Sequence, residues 1–356
     1  MPRPLDRARA FADRFGVKLP VLMAPMAGAS PPALAAAVAE AGGMGACGAM
    51  PFGRDGIADW MARFRQMSAG AVQINLWVPD EVVRDPEAEA AQAAFLARFG
   101  PAPAIPQGAL LPDFDMQFAA LIDAKPTAAS SIMGLFRPDQ VAELKAAGIA
   151  WIATATSLAE GLAAQAAGAD AVIAQGVEAG GHRGAFTPEA AARAQVGAFA
   201  LIPALADALT VPVIAAGAIA DGRSAAAALA LGASAVMPGT ALLRTPEAAI
   251  APAWAEALAH ANPEDTLLTR AYTGRPCRAI ANRFLAQAHA GDAPPPAPYP
   301  VQRHLTDPLR QDAAAQGDTG RMYLLAGQAA AQAQALPAGQ IVARLWAEAE
   351  ALLGPA

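Results

Sequence analysis

The sequence predicts an α/β protein folded as a closed (β/α)8 barrel, the TIM barrel, and three observations carry that prediction. Short apolar runs bounded by glycine, proline or polar residues recur eight times along the chain. Most are followed by a helical pattern, and alternating strands and helices imply right-handed βαβ units and a parallel sheet. The chain has 356 residues, 55% hydrophobic and only 16% charged, which suffices for a barrel of roughly 250 residues with additions. An open doubly wound sheet is the alternative topology.

The eight runs are Val21 to Met26, Met44 to Met50, Ala71 to Trp77, Thr127 to Met133, Ile149 to Thr154, Ala171 to Gln175, Val211 to Ala216 and Ala235 to Pro238. Helical patterns follow the first (PPALAAAVAEAGG), the second (RDGIADWMARFRQM), the fourth (PDQVAELKAAG), the fifth (SLAEGLAAQAAGA), the sixth (PEAAARAQVGAFALIPALADAL) and the seventh (DGRSAAAALALGA). Much of the apolar content is alanine, which supplies helix propensity and close packing more than large buried area. The uncharged stretch from Ser224 to Leu243 is about as long as a bilayer-spanning helix. Gly232, Ser234, Pro238, Gly239 and Thr240 divide it into a helix and a short strand, so it reads as a buried connection and not a membrane span.

Two segments break the repeat. From about residue 79 to 126 an acidic helix, EVVRDPEAEAAQAAFLARFG, and a proline-rich loop, PAPAIPQGALLP, read as an insertion after the third strand. From residue 246 to 356 a mainly helical region is interrupted by the rigid stretch DAPPPAPYP and ends in an amphipathic helix, PAGQIVARLWAEAEALL. The expected organisation is a barrel over residues 1–245 carrying the insertion, and a C-terminal lid over residues 246–356 that packs back on the barrel. Such additions wall a pocket above the C-terminal rim.

Composition removes several classes of function. Lys and Arg number 25 against 31 Asp and Glu, for a formal charge of −6, with no like-charge block, so a nucleic-acid partner, which needs a basic stripe, is not expected. Cys47 and Cys277 form no CxxC pair and no disulfide framework, which predicts no metal site and suits a reducing cytoplasm. The opening MPRPLDRARAFADRFGV lacks the unbroken apolar core of a signal peptide, so a cytoplasmic location is expected. No GxGxxG follows a strand, and GxxxxGK[ST], HExxH and GxSxG are absent, which disfavours a dedicated dinucleotide fold, a P-loop and a zinc protease.

In a barrel the strand C-termini carry the site. After the first strand come Ala24, Pro25 and Met26, where proline fixes φ and the small neighbours let a ligand approach the backbone. The third strand delivers Asn75, whose amide either satisfies neighbouring backbone or holds a polar ligand. The sixth runs into Gln175-Gly-Val-Glu-Ala-Gly180-Gly181-His182-Arg183-Gly184, which places an imidazole and a guanidinium at the rim. That stretch is either a glycine-rich turn with a solvated histidine or a site in which His182 exchanges protons near neutrality. The seventh and eighth end in Ala216-Gly217-Ala218 and Met237-Pro238-Gly239-Thr240. Glycine N–H groups at these two positions either make tight turns or cradle a phosphate. His260, His289 and His304 read as structural or surface residues, as do both cysteines; the arginines flanking Cys277 would lower its pKa modestly.

The runs VLMAPMAGAS, QINLWVP, TATSLAEGLAAQAAGADAVIAQGVEAGGHRG, PVIAAGAIADG and AVMPGTALLRTPEA, with the tail elements TRAYTGRP, NRF, PYPVQ and LLAGQ, resemble the nitronate monooxygenases, formerly 2-nitropropane dioxygenases, in their bacterial-type class. The resemblance covers nearly the whole chain. It implies a barrel that binds FMN non-covalently and oxidises alkyl nitronates with dioxygen to carbonyl compounds and nitrite. Carried over by residue, Ala24, Pro25 and Met26 would line the isoalloxazine, Asn75, Gln175 and Gly180 would hydrogen-bond the cofactor, and Gly181 would stand against it. Gly217, Ala218, Met237, Gly239 and Thr240 would surround its phosphate end. His182 would be the active-site base and nitronate hydrogen-bonding group, with Arg183 and Tyr299 on the substrate side. At the end of the fourth strand the family commonly has a serine-phenylalanine-histidine-phenylalanine-glycine run, whereas this chain reads Ser130-Ser131-Ile132-Met133-Gly134. The alternatives are a flavin- and NAD(P)H-dependent enoyl-ACP reductase and a non-catalytic flavin-binding protein.

Overall fold

The computed structural model describes residues 2–354. Seven strands form one parallel sheet in the order Gly45–Gly48, Val72–Trp77, Ala128–Ile132, Ala150–Ala155, Ala171–Gln175, Val213–Ala216 and Ala235–Met237. The first apolar run closes it. Val21 bridges Val236 and Leu22 bridges Met44, both in parallel, and the N–H of Leu22 donates to the Val236 carbonyl at 2.9 Å while that of Met23 donates to Met44 at 2.8 Å. All eight runs thus lie around one barrel. Its interior is packed by Leu22, Met44, Ile152, Ile173, Ile214 and Met237, joined by the stacked Phe11 and Phe15 of the N-terminal helix Pro4–Phe15.

The crossover helices follow from apolar spacing and from their caps. Arg54–Met67 buries Ile57, Trp60, Met61 and Phe64, positions i, i+3, i+4 and i+7 of one face. Asp221 starts Gly222–Ala230 by accepting from the Ser224 N–H at 2.9 Å. Phe114–Ala124, which lies in the stretch read as an insertion, packs against Arg54–Met67 as the helix of the third strand.

The barrel is not complete at residue 245. The final helix, Ala338–Leu353, lies against both Gly222–Ala230 and Pro32–Glu40, the helices of the seventh and first strands. That is the slot of an eighth barrel helix, and its Ile341, Val342, Leu345 and Trp346 join the main core. Residues 246–337 therefore intervene between the eighth strand and its helix.

Both additions leave the barrel at strand C-termini and pack on each other. Phe95 and Leu96 of the helix Pro86–Leu96 share a cluster with Tyr272, Phe284, Val301, Leu305 and Leu309. Gln92 Nε2 donates to the carbonyls of Pro294 and Pro295 at 2.6 and 2.9 Å, which fixes the proline-rich stretch. An antiparallel sheet of Thr266–Thr269, Cys277–Ile280 and Gly181–His182 ties the C-terminal region to the loop after the sixth strand. Among the described residues no helix is long and apolar enough to cross a membrane.

Candidate active site

A cavity of about 490 Å³ opens at the C-terminal ends of the barrel strands. Ala24, Pro25, Met26, Asn75, Gln175, Gly180, Gly181, His182, Gly217, Ala218, Met237, Gly239 and Thr240 all line it. The fold brings them together because each stands at or just beyond a strand end, where the parallel register puts them at one height.

One end of the cavity is made of bare backbone. Gly217 and Ala218 both have left-handed φ, 112° and 53°, a pairing that turns successive N–H groups to one side. The N–H groups of Gly217, Ala218, Gly239 and Thr240 donate no hydrogen bond among the described residues. Thr240 Oγ1 accepts from the Gly327 N–H at 3.0 Å, which leaves its own proton to give. Four N–H donors and a hydroxyl without an internal acceptor suit an anion such as a phosphate.

The other end surrounds His182. Its ring meets Trp77 edge-on at 4.8 Å, and Nε2 lies 2.9 Å from Thr273 Oγ1. Its backbone is held by Cys277 across the antiparallel sheet and by Gln175 Nε2, which donates to the His182 carbonyl at 3.1 Å. Burial first, and then the charges of Arg303 and Arg310, push the imidazole down to about 3, so it is neutral at physiological pH.

Arg303 and Arg310 also line the cavity, and among the described residues no Asp or Glu does. The Arg303 guanidinium has no hydrogen-bond or ion-pair partner among the described residues. Arg310 lies over the Tyr323 ring, pairs with Asp307 and donates from Nη2 to the Arg303 carbonyl at 3.2 Å. Arg303, with the Asp307-paired Arg310 beside it, makes this end a second seat for negative charge.

Three expectations change. Arg183 does not reach the cavity: it is 1% exposed, and its guanidinium donates to the carbonyls of Gln175, Gly176 and Ala194 at 3.2, 2.8 and 3.3 Å, so it braces the loop. Gln175 lines the cavity, but its amide is engaged at both ends, its oxygen accepting from the Gly184 N–H at 2.8 Å. Cys277 is not acidified by its flanking arginines; burial pushes its thiol up to about 11. Tyr299 stands beside the main cavity, in a small adjoining pocket shared with Met50 and Trp77, its ring 6.3 Å from Trp77.

Asn75 resolves both ways. Its Nδ2 donates to the Ser130 carbonyl and hydroxyl at 3.3 and 3.1 Å, while its oxygen takes no protein donor. In the divergent fourth strand Ser131 accepts from the Trp151 indole at 3.0 Å, and Ile132 presents an apolar side chain to the cavity. His260, His289 and His304 do not line the cavity. They bond Glu256, Thr269 and the Leu110 carbonyl, respectively.

Sequence reasoning missed Trp77, Thr273, Arg303 and Arg310. Trp77 stands two residues after Asn75, on the same face of a strand, so period-two spacing contained it. Arg303 lies four residues beyond Tyr299, in the middle of the short helix Val301–Leu305, but only tertiary packing aims it at His182.

A family model described as nitronate monooxygenase matches residues 9–348 of the chain. The chain is 39% identical over 344 residues to a nitronate monooxygenase of Paraburkholderia phytofirmans, covering 95% of this chain and 94% of that protein. It is 38% identical to a nitronate monooxygenase of Pseudomonas aeruginosa, covering 94% and 98%. Among solved structures it is similar to a nitroalkane oxidase from Streptomyces ansochromogenes, at TM-score 0.86 and 39% identity over 97% of this chain and 98% of the other. It is also similar to FabK from Thermotoga maritima, at TM-score 0.75 and 28% identity over 97% and 96%.

Proposed function

Because the chain belongs to the nitronate monooxygenase family, whose members are oxidoreductases, we propose that it oxidises alkyl nitronates with dioxygen to a carbonyl compound and nitrite, using FMN. The observation that carries this reading is the two-ended charge of one carboxylate-free cavity. Bare N–H groups stand at one end, and Arg303 and Arg310 stand beside a neutral His182 at the other.

The chemistry of the lining residues suits FMN. The N–H groups of Gly217, Ala218, Gly239 and Thr240 and the Thr240 hydroxyl would hold the phosphate, and Asn75 offers a free acceptor. A Cβ on Gly239 would come within 3.1 Å of Ala24 Cβ, narrowing the space that bare backbone leaves at the phosphate end. Bound there, FMN supplies the electron transfer and the reaction with dioxygen. Arg303 and Arg310 would seat the nitronate oxygens and stabilise charge in a site lined by Trp77, Ile132, Tyr323 and Leu325. A nitronate has no α-proton left to give, so His182 would act as proton acceptor only where a neutral nitroalkane is the substrate, taking its α-proton to leave the nitronate, and Tyr299 would wall the substrate side.

The test is oxygen uptake by the FMN-loaded protein with an alkyl nitronate, run beside anaerobic NADH oxidation. Oxygen consumption with nitrite release and no NADH requirement is expected. Rapid flavin bleaching by NADH without nitronate turnover would move the assignment to the enoyl reductase alternative. His182→Ala should cut turnover while FMN stays bound.

A further inference from the structure

The contacts of His182 bear on which of its two nitrogens is free to act. Thr273 Oγ1 lies 2.9 Å from His182 Nε2 and donates to the Arg275 carbonyl at 3.1 Å. A hydroxyl has one proton. Thr273 and Arg275 are 1% and 0% exposed, and that carbonyl has no other donor among the described residues, so turning the proton toward His182 would leave a buried acceptor unpaired. The proton in the His182–Thr273 bond must then come from Nε2. Nδ1 has no partner among the described residues and is not among the buried unpaired atoms, so it keeps accessible surface on a residue that lines the cavity.

We propose that Thr273 is a positioning residue that fixes the neutral tautomer of His182, with the proton on Nε2 and a bare lone pair on Nδ1 facing the cavity. The catalytic meaning of this assignment rests on the function proposed above. A neutral His182 held this way accepts a proton or a hydrogen bond but has none to donate to an anion. Seating the nitronate oxygens therefore falls to Arg303 and Arg310, and His182 is left the acceptor's part alone. Thr273 sits in TRAYTGRP, on the turn into the strand Cys277–Ile280 that pairs with His182, so one segment sets both the backbone and the tautomer of the histidine.

The experiment is 15N NMR of the FMN-loaded protein labelled at histidine, with no nitronate added, the His182 signals being assigned by their loss in His182→Gln. We expect Nε2 in the protonated range with a directly bonded proton, and Nδ1 in the unprotonated range. Thr273→Val should lose that signature, shifting His182 to the other tautomer or to a mixture, and Thr273→Ser should restore it. A wild-type Nδ1 that carries the proton, or a Thr273→Val spectrum identical to wild type, overturns the proposal. The wild-type spectrum decides by itself should Thr273→Val fail to fold. Because no substrate is present, absence of nitronate oxidation would defeat the proposed function and leave the tautomer assignment standing.

Discussion

Arg303 puts a cation into the cavity with no ion pair from the described residues, so its guanidinium is free to meet an anion that enters. Replacing it by alanine removes a charge-assisted hydrogen bond of about 1.5–3 kcal/mol. The KM for a nitronate should rise roughly 10- to 100-fold with the FMN dissociation constant unchanged, and steady-state kinetics with a flavin titration measure both. An unaltered KM would remove Arg303 from the substrate side. His182 makes a separate prediction through stability. Its folded-state pKa, about 3, lies below the ordinary 6.5, so as the pH falls the unfolded chain takes up the proton first. The stability held in the neutral, half-buried imidazole is complete above about 6.5 and is lost progressively toward about 3. Denaturant titrations at pH 7 and pH 5 should therefore show His182→Gln losing less stability than wild type over that interval. Equal losses would mean that the imidazole titrates normally in the fold.

The loop after the sixth strand shows how far an element can be read from its letters. Its glycines, Gly176, Gly180, Gly181 and Gly184, all permit positive φ, yet only Gly181 takes it, at 77°. Gly180 is required by contact: a Cβ there would stand 2.5 Å from the Gly327 nitrogen and 2.6 Å from the Ala326 carbonyl carbon. These are backbone atoms that cannot swing away. Gly180→Ala should cost about 1–3 kcal/mol as overpacking and shift the segment that carries His182, lowering Tm and speeding FMN release. A variant with wild-type Tm and flavin retention would show that the two segments separate freely. The reason for Gly180 lies in a segment far along the chain, so no local pattern reveals it. The strand-end residues, by contrast, were legible because apolar runs set the barrel register and the register sets who faces the mouth. Arg303 and Arg310 were not, since the clustering of Phe95 and Leu96 with Val301, Leu305 and Leu309, and not any periodicity, determines where their helices sit.

At the scale of the whole molecule the chain leaves its barrel after the eighth strand, builds the wall of the site, and returns to finish the barrel with its last helix. Helical periodicity announced Ala338–Leu353, but nothing in its sequence said that it belongs between the first and seventh helices and not to the lid. Ile341, Val342, Leu345 and Trp346 are all buried there. At about 1.5–3 kcal/mol for each fully buried large side chain, four of them contribute on the order of 6–12 kcal/mol. That is comparable with the whole stability of a typical protein, about 5–15 kcal/mol. A chain ending at residue 337 should therefore fail to fold, giving insoluble protein or a far-UV spectrum without a cooperative melt. The graded version is Trp346→Ala, expected to cost about 3–5 kcal/mol while leaving the cavity residues untouched, so that flavin affinity at low temperature is kept and Tm falls. Were the shortened chain to melt cooperatively and retain flavin, the last helix would be an appendage on a barrel that closes without it.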